Sequence, residues 1–130
     1  VKLLDTMVLV SAMNPINKYH KTGMTYLRAL RTSDATRVPT STLIEFDLVM
    51  RNNKYTEGEI ADTWAALASL VEQNFVAATL SSHLMAAGMR VKGLTYFDSL
   101  ITALAKEMNA IVITRDHAIS KHVHTEWKPS

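Results

Sequence analysis

Four of the 12 acidic residues stand where short apolar segments end or where helices begin. Asp5 follows Leu3-Leu4 directly, and Asp116 follows Ile111-Val112-Ile113 after two residues. Glu45 and Asp98 fall in the first turns of two predicted helices, behind Thr40-Ser41-Thr42 and Thr95. Gaps of 40, 53 and 18 residues separate the four, so only a fold can bring them together. Like charges gathered at one place repel and resist ionisation unless a cation neutralises them. Oxygen donors alone suit a hard divalent ion, Mg²⁺ or Mn²⁺, better than zinc, which favours Cys and His. A second use competes for the same residues. Thr42-x-x-Glu45 and Thr95-x-x-Asp98 match capping boxes, and Asp5 and Asp116 suit N-caps, worth about 0.5–2 kcal/mol each. Taken singly each acid fits a cap; the ordered set of four points to a cation.

For the four to meet, their elements must share one parallel sheet, whose binding crevice lies outside the carboxyl ends of its strands. The sequence supplies such elements. A strand is predicted at 2–4 and a helix over 6–12, ended by the Asn14-Pro15 break. A second helix, starting near Ile16, has Ile16, Tyr19, Leu27 and Leu30 as its apolar stripe and Gly23 as a weak point. Residues 37–39 make a poor strand in a position that demands one. A helix then runs to about Asn52, and the Thr56…Glu59 capping box opens another, with Ile60, Trp64, Leu67 and Val71 on one face. A strand over 75–78 precedes a short helix capped by Ser81-Ser82 and ended by Gly88. Thr95 starts a helix carrying Phe97, Leu100, Ile101, Leu104 and Met108. The β-branched run 110–113 is the clearest strand, followed by a short helix over 116–120 and an edge strand at 122–124. Short, uniformly apolar strands alternating with helices indicate a mainly parallel sheet of about four to five strands covered on both faces. The expected fold class is α/β, a three-layer α/β/α sandwich, as a single domain over 1–130.

Composition removes other classes. At 130 residues, 48% apolar and 20% charged, the chain has the balance of one globular domain. The 4 Gly and 3 Pro exclude collagen-like or low-complexity structure, and Cys 0 excludes disulfides, thiolate zinc sites and a cysteine nucleophile. No apolar run approaches the ~20 residues of a membrane span, and Asp5 interrupts the N-terminus too early for a signal-peptide core. The expected compartment is the cytoplasm. A net charge of +2 is weakly basic and evenly spread, with no basic arm or acidic tail.

The acids sit in the contexts Leu-Leu-Asp5-Thr-Met-Val-Leu-Val, Pro39-Thr-Ser-Thr-Leu-Ile-Glu45-Phe, Tyr96-Phe-Asp98-Ser-Leu-Ile-Thr-Ala-Leu-Ala and Ile111-Val-Ile-Thr114-Arg-Asp116. With these contexts the chain resembles the PIN-domain nucleases, and within them the small toxins of VapBC toxin–antitoxin pairs. The resemblance runs from Leu3 to about Ser120, with 24–37 and 55–91 carrying little motif signal. It implies a Mg²⁺- or Mn²⁺-dependent endoribonuclease with Asp5, Glu45, Asp98 and Asp116 in its catalytic site. It also implies a homodimer and an antitoxin whose C-terminal tail covers the cleft. On that pattern Asp5, Asp98 and Asp116 hold one or two ions and Glu45 acts through a water; a two-ion site has a spacing of about 3.5–4 Å. Thr114 matches the hydroxyl residue of the family's last motif and either orients a carboxylate or water, or serves as an ordinary strand-end threonine.

Neutralising the four acids would leave 14 basic against 8 acidic residues, a balance of +6 that suits a polyanion such as RNA. Arg115, Lys18, Lys21, Arg28 and Arg31 are candidate phosphate contacts, each equally readable as a solvated charge. His122-x-His124 lacks further ligands nearby, Asp47 points to another side of its helix from Glu45, and Trp64 and Trp127 fit core or a dimer surface. Phosphatases of doubly wound type need Asp-x-Asp, which Asp5-Thr6-Met7 lacks, and receiver domains need adjacent acids and a downstream Lys. A stand-alone RNA-processing nuclease and a non-catalytic protein-binding module on the same fold are the alternatives.

Overall fold

Three-residue strands survive at the centre of this protein because the last two side chains of each are fully buried. The computed structural model describes residues 1–129. Its central strand β1 (Lys2–Leu4) lies between β2 (Thr36–Pro39) and β4 (Ile111–Ile113), with β3 (Phe75–Val76) outside β2 and β5 (Thr125–Glu126) outside β4. Every pairing is parallel, and Leu3 aligns with Arg37 on one side and Val112 on the other. Leu3, Leu4, Val112 and Ile113 are each 0% exposed. Burial of one such side chain is worth about 1.5–3 kcal/mol, more than the roughly 1 kcal/mol net of a ladder hydrogen bond. Packing, not strand length, holds the sheet.

Alternation along each strand divides the core between two faces. Leu4, Val38 and Ile113 meet α1 (Thr6–Ala12), α2 (His20–Thr32), α3 (Thr40–Asn52) and α4 (Glu57–Leu70), through Val8, Leu9, Leu27, Leu30, Phe46 and Ile60. Leu3 and Val112 face the other way, against Ile101, Leu104 and Ala105 of α6 (Tyr96–Met108) and Ile119 of α7 (His117–Ser120). A third cluster, Ala86 and Met89 with Leu100 and Ala103, seats α5 (Leu80–Val91) on α6. The three layers and the parallel sheet agree with the sequence expectation.

Local boundaries differ where packing overrides local signals. The outer strand is Thr125–Glu126, not 122–124; His122 and His124 lie in the turn before it, because Ile119 occupies the buried place. α5 starts from a Thr79–Ser82 capping box and continues through Gly88, held by Ala86 and Met89, to a turn at Gly93 with φ 106°. α2 begins at His20, leaving Ile16 in the preceding turn and 92% exposed. Gly23 marks a close approach, not a weak helix: a Cβ there would lie 2.8 Å from Ala12 N and from Ser11 Cβ. The poor strand at 37–39 forms because Val38 and Pro39 are buried beside β1.

Candidate active site

The carboxyl ends of β1 and β4 are tied together at the acids. Asp5 ends β1, and its backbone N–H donates to Ile113 O at 3.2 Å, fixing it against the end of β4. Its Oδ1 accepts from the Thr6 N–H at 2.8 Å, and its Oδ2 accepts from the Thr114 hydroxyl at 2.8 Å. That Thr114 oxygen also accepts from the Asp116 N–H at 3.0 Å, so one buried hydroxyl connects two of the acids. Asp116 caps α7 through Ala118 N–H at 2.8 Å. The capping use of Asp5 and Asp116 is therefore real, and each retains a carboxylate at the sheet edge.

Glu45 and Asp98 are not engaged as caps. The Thr42 hydroxyl donates instead to Leu4 O at 3.0 Å, which registers α3 on β1, and Glu45 accepts a short hydrogen bond from the Thr6 hydroxyl. Thr95 makes no side-chain bond to the α6 backbone. Asp98 lies instead beside the Thr95 side chain and in the field of Asp116. Neither predicted capping box forms around these two acids.

Burial pushes the Asp5 carboxyl up to about 6; the Thr114 hydroxyl and Thr6 N–H oppose this, and the charges of Glu45 and Asp116 add to it. Burial also raises Asp98 to about 6, reinforced by Asp116 and Asp5. Glu45 is raised by burial, held down by Thr6, and pushed further by Asp98 and Asp116. Each acid thus lies in the field of the others. Among the described residues no three His, Asp or Glu side chains stand ready-made as an ion cage. The oxygen donors and their mutual repulsion fit a hard divalent cation, which removes the repulsion as it draws the carboxylates in.

The basic residues separate. The Arg115 guanidinium lies 3.6 Å from the Tyr19 ring centroid and 5.3 Å from that of Trp127, and Lys18 Nζ lies 5.1 Å from Tyr19. Lys21 lies in the first turn of α2 and Arg28 follows two turns later, both exposed. Arg31, in the last turn of α2, borders a hollow with Ser69, Glu72 and Gln73. It faces the amino end of β2, away from the acids. Asp47 accepts from the Trp64 indole at 3.0 Å and from Arg51 at 2.6 Å, so it is held outside the site. Two neighbours escaped sequence reasoning: Thr6, which orients Glu45, and Met7, whose Sδ accepts the Arg115 N–H at 3.1 Å. A hydroxyl directly after a strand-ending acid was the available signal for Thr6.

An all-parallel α/β/α sandwich with its acids at the carboxyl edge defines a fold of PIN type. The family model described as the PIN domain matches residues 2–124, and the chain belongs to that family. No curated protein matches the sequence significantly. Solved structures do. VapC20 of Mycobacterium tuberculosis, described as a sarcin–ricin loop cleaving toxin, is 15% identical with a TM-score of 0.74, over 99% of this chain and 100% of that one. The FitAcB structure from Neisseria gonorrhoeae is 18% identical with a TM-score of 0.70, over 96% of each chain. VapBC2 of Rickettsia felis, solved with a promoter DNA fragment, is 15% identical with a TM-score of 0.70, over 96% of each chain. At these identities the likeness is one of fold.

Proposed function

We propose that this chain is a metal-dependent endoribonuclease, the toxin of a VapBC-type toxin–antitoxin pair. The observation that carries the reading is the meeting of Asp5, Glu45, Asp98 and Asp116 in one electrostatic neighbourhood, where Asp5 and Asp98 rise to about 6. Asp5, Asp98 and Asp116 would hold Mg²⁺ or Mn²⁺, with Glu45 alongside. The ion would supply positive charge to the phosphate oxygens and lower the pKa of the attacking water. The chain's own residues do the rest. Thr114 holds Asp5 and Asp116 in register, and Thr6 fixes one Glu45 oxygen so that the other can orient the water. RNA is the substrate of this reading, and a small antitoxin is its partner, as the VapBC2 complex with this fold suggests; by the family resemblance its tail would cover the cleft.

A homodimer is part of the same proposal. On α5, Leu80, Leu84 and Val91 are 89%, 78% and 89% exposed at spacings that place them on one stripe. Such a stripe is a candidate surface for a second copy. No helix among the described residues is long and apolar enough to cross a membrane, and a cytoplasmic site of action goes with an RNA substrate.

The test is cleavage of labelled RNA by the purified chain. Activity should appear with Mn²⁺ or Mg²⁺, vanish in EDTA, return when the ion is restored, and be abolished in Asp98→Asn. Chelator-resistant cutting, or full activity in Asp98→Asn, overturns the mechanism. A gene for a small partner next door supports the toxin role; its absence favours stand-alone RNA processing.

A further inference from the structure

A hollow of about 430 Å³ opens beside Asp116, walled by Thr114, Arg115, His117, Thr125 and Trp127. Its size falls within the roughly 300–1,000 Å³ of small-molecule sites. The wall on its aromatic side is built to stay in place. Tyr19 and Trp127 meet edge to face, with centroids 5.8 Å apart and planes at 88°, and Tyr26 backs Trp127 at 5.8 Å. The Tyr26 hydroxyl donates to Glu126 at 2.9 Å and accepts from the Lys128 N–H at 2.8 Å. Glu126 is held in turn by Lys2 at 3.1 Å.

Two cations share this platform. The Arg115 guanidinium and the Lys18 ammonium both lie over Tyr19, and among the described residues neither makes an ion pair. Contact with a ring at an exposed site is worth about 0.5–1 kcal/mol and holds each head group without neutralising it. Two unpaired cations held beside one ring leave their charge open to an anion. A planar guanidinium already oriented by its ring is suited to a phosphate.

We propose that this hollow seats the nucleotide flanking the scissile phosphate of a single-stranded RNA. Its phosphate lies on Arg115 and Lys18, and its nucleoside lies in the hollow against Trp127. This rests on the endoribonuclease reading, and it assigns the strand a path from the acids toward β5. A duplex cannot present an unstacked nucleoside to such a hollow, so the strand is single.

The experiment measures binding of a fluorescein-labelled single-stranded oligoribonucleotide by anisotropy, across a salt series, in the cleavage-blocked Asp98→Asn protein with Mg²⁺. Adding Arg115→Ala should weaken binding about 10-fold and flatten the slope of log K against log salt by about 0.7, one phosphate contact of a single strand. Arg115→Lys should keep the slope and lose a few-fold in affinity. Arg31→Ala, at the far end of α2, should change neither. Parent-like affinity and slope in Arg115→Ala overturns the subsite, as does an equal loss in Arg31→Ala. Failure of the Asp98→Asn parent to bind RNA at all would instead overturn the endoribonuclease reading beneath it.

Discussion

Asp5→Asn should make the protein more stable in metal-free buffer while removing its activity. The Asp5 carboxyl is 7% exposed and its pKa is raised from 3.8 to about 6. A shift of about two units corresponds to roughly 3 kcal/mol of folding free energy. The folded state binds this proton more tightly than the unfolded chain, so the associated stability is fully present below about pH 4. It is lost as pH rises through about 6, and above that the buried charge acts at full strength. Asparagine keeps the acceptor for the Thr6 N–H but turns a donor toward Thr114, whose hydroxyl must reorient at a cost of about 1 kcal/mol. The net expectation is about 2 kcal/mol of added stability at pH 8, and none, or a slight loss, at pH 4. For a domain of this size that is roughly 6–10 °C in Tm at the higher pH. Urea unfolding in EDTA at both pH values measures it. A stability change of the same size and sign at pH 4 and pH 8 would refute the claim that Asp5 is a buried charge awaiting a cation. Saturating Mg²⁺ should raise the Tm of the wild type and leave the variant unmoved.

Two further outcomes test the packing and the assembly. Gly23→Ala should destabilise by about 0.5–2 kcal/mol in urea: the roughly 1 kcal/mol gained in helix propensity is outweighed by a Cβ 2.8 Å from the Ala12 nitrogen, and a stabilised variant would contradict the close contact of α1 and α2. Leu84→Glu should turn a dimer into a monomer in sedimentation velocity with little change in Tm, since Leu84 is 78% exposed in the single chain. A wild type that sediments as a monomer would remove α5 as the self-contact.

The sequence makes β1 and β4 legible through their short apolar runs, and it makes the acids legible because strand ends are where a parallel sheet opens. The Thr56 capping box is also read correctly, since all its partners lie within four residues. What escapes is set by contacts distant in the chain. Gly88 reads as a stop, yet Ala86 and Met89 carry the helix past it by packing on α6. The last strand is displaced to Thr125–Glu126 because the Val112 and Thr114 N–H groups donate to His124 O and Glu126 O. Thr42 and Thr95 carry the local signature of caps, but Thr42 is drawn to Leu4 O and Thr95 makes no side-chain bond to its helix. The hydroxyl after Asp5 marks Thr6, but its partner Glu45 lies 39 residues away, beyond any local pattern.

The two outermost strands each contribute only two residues, and the one beyond β4 ends in a glutamate held by two lysines, with Pro129 soon after. Such stunted borders offer no row of open peptide groups on which a foreign chain could zip itself into the ladder. Recognition is left to the helical flanks, the acidic mouth and the hollow beside it, by shape and side-chain chemistry.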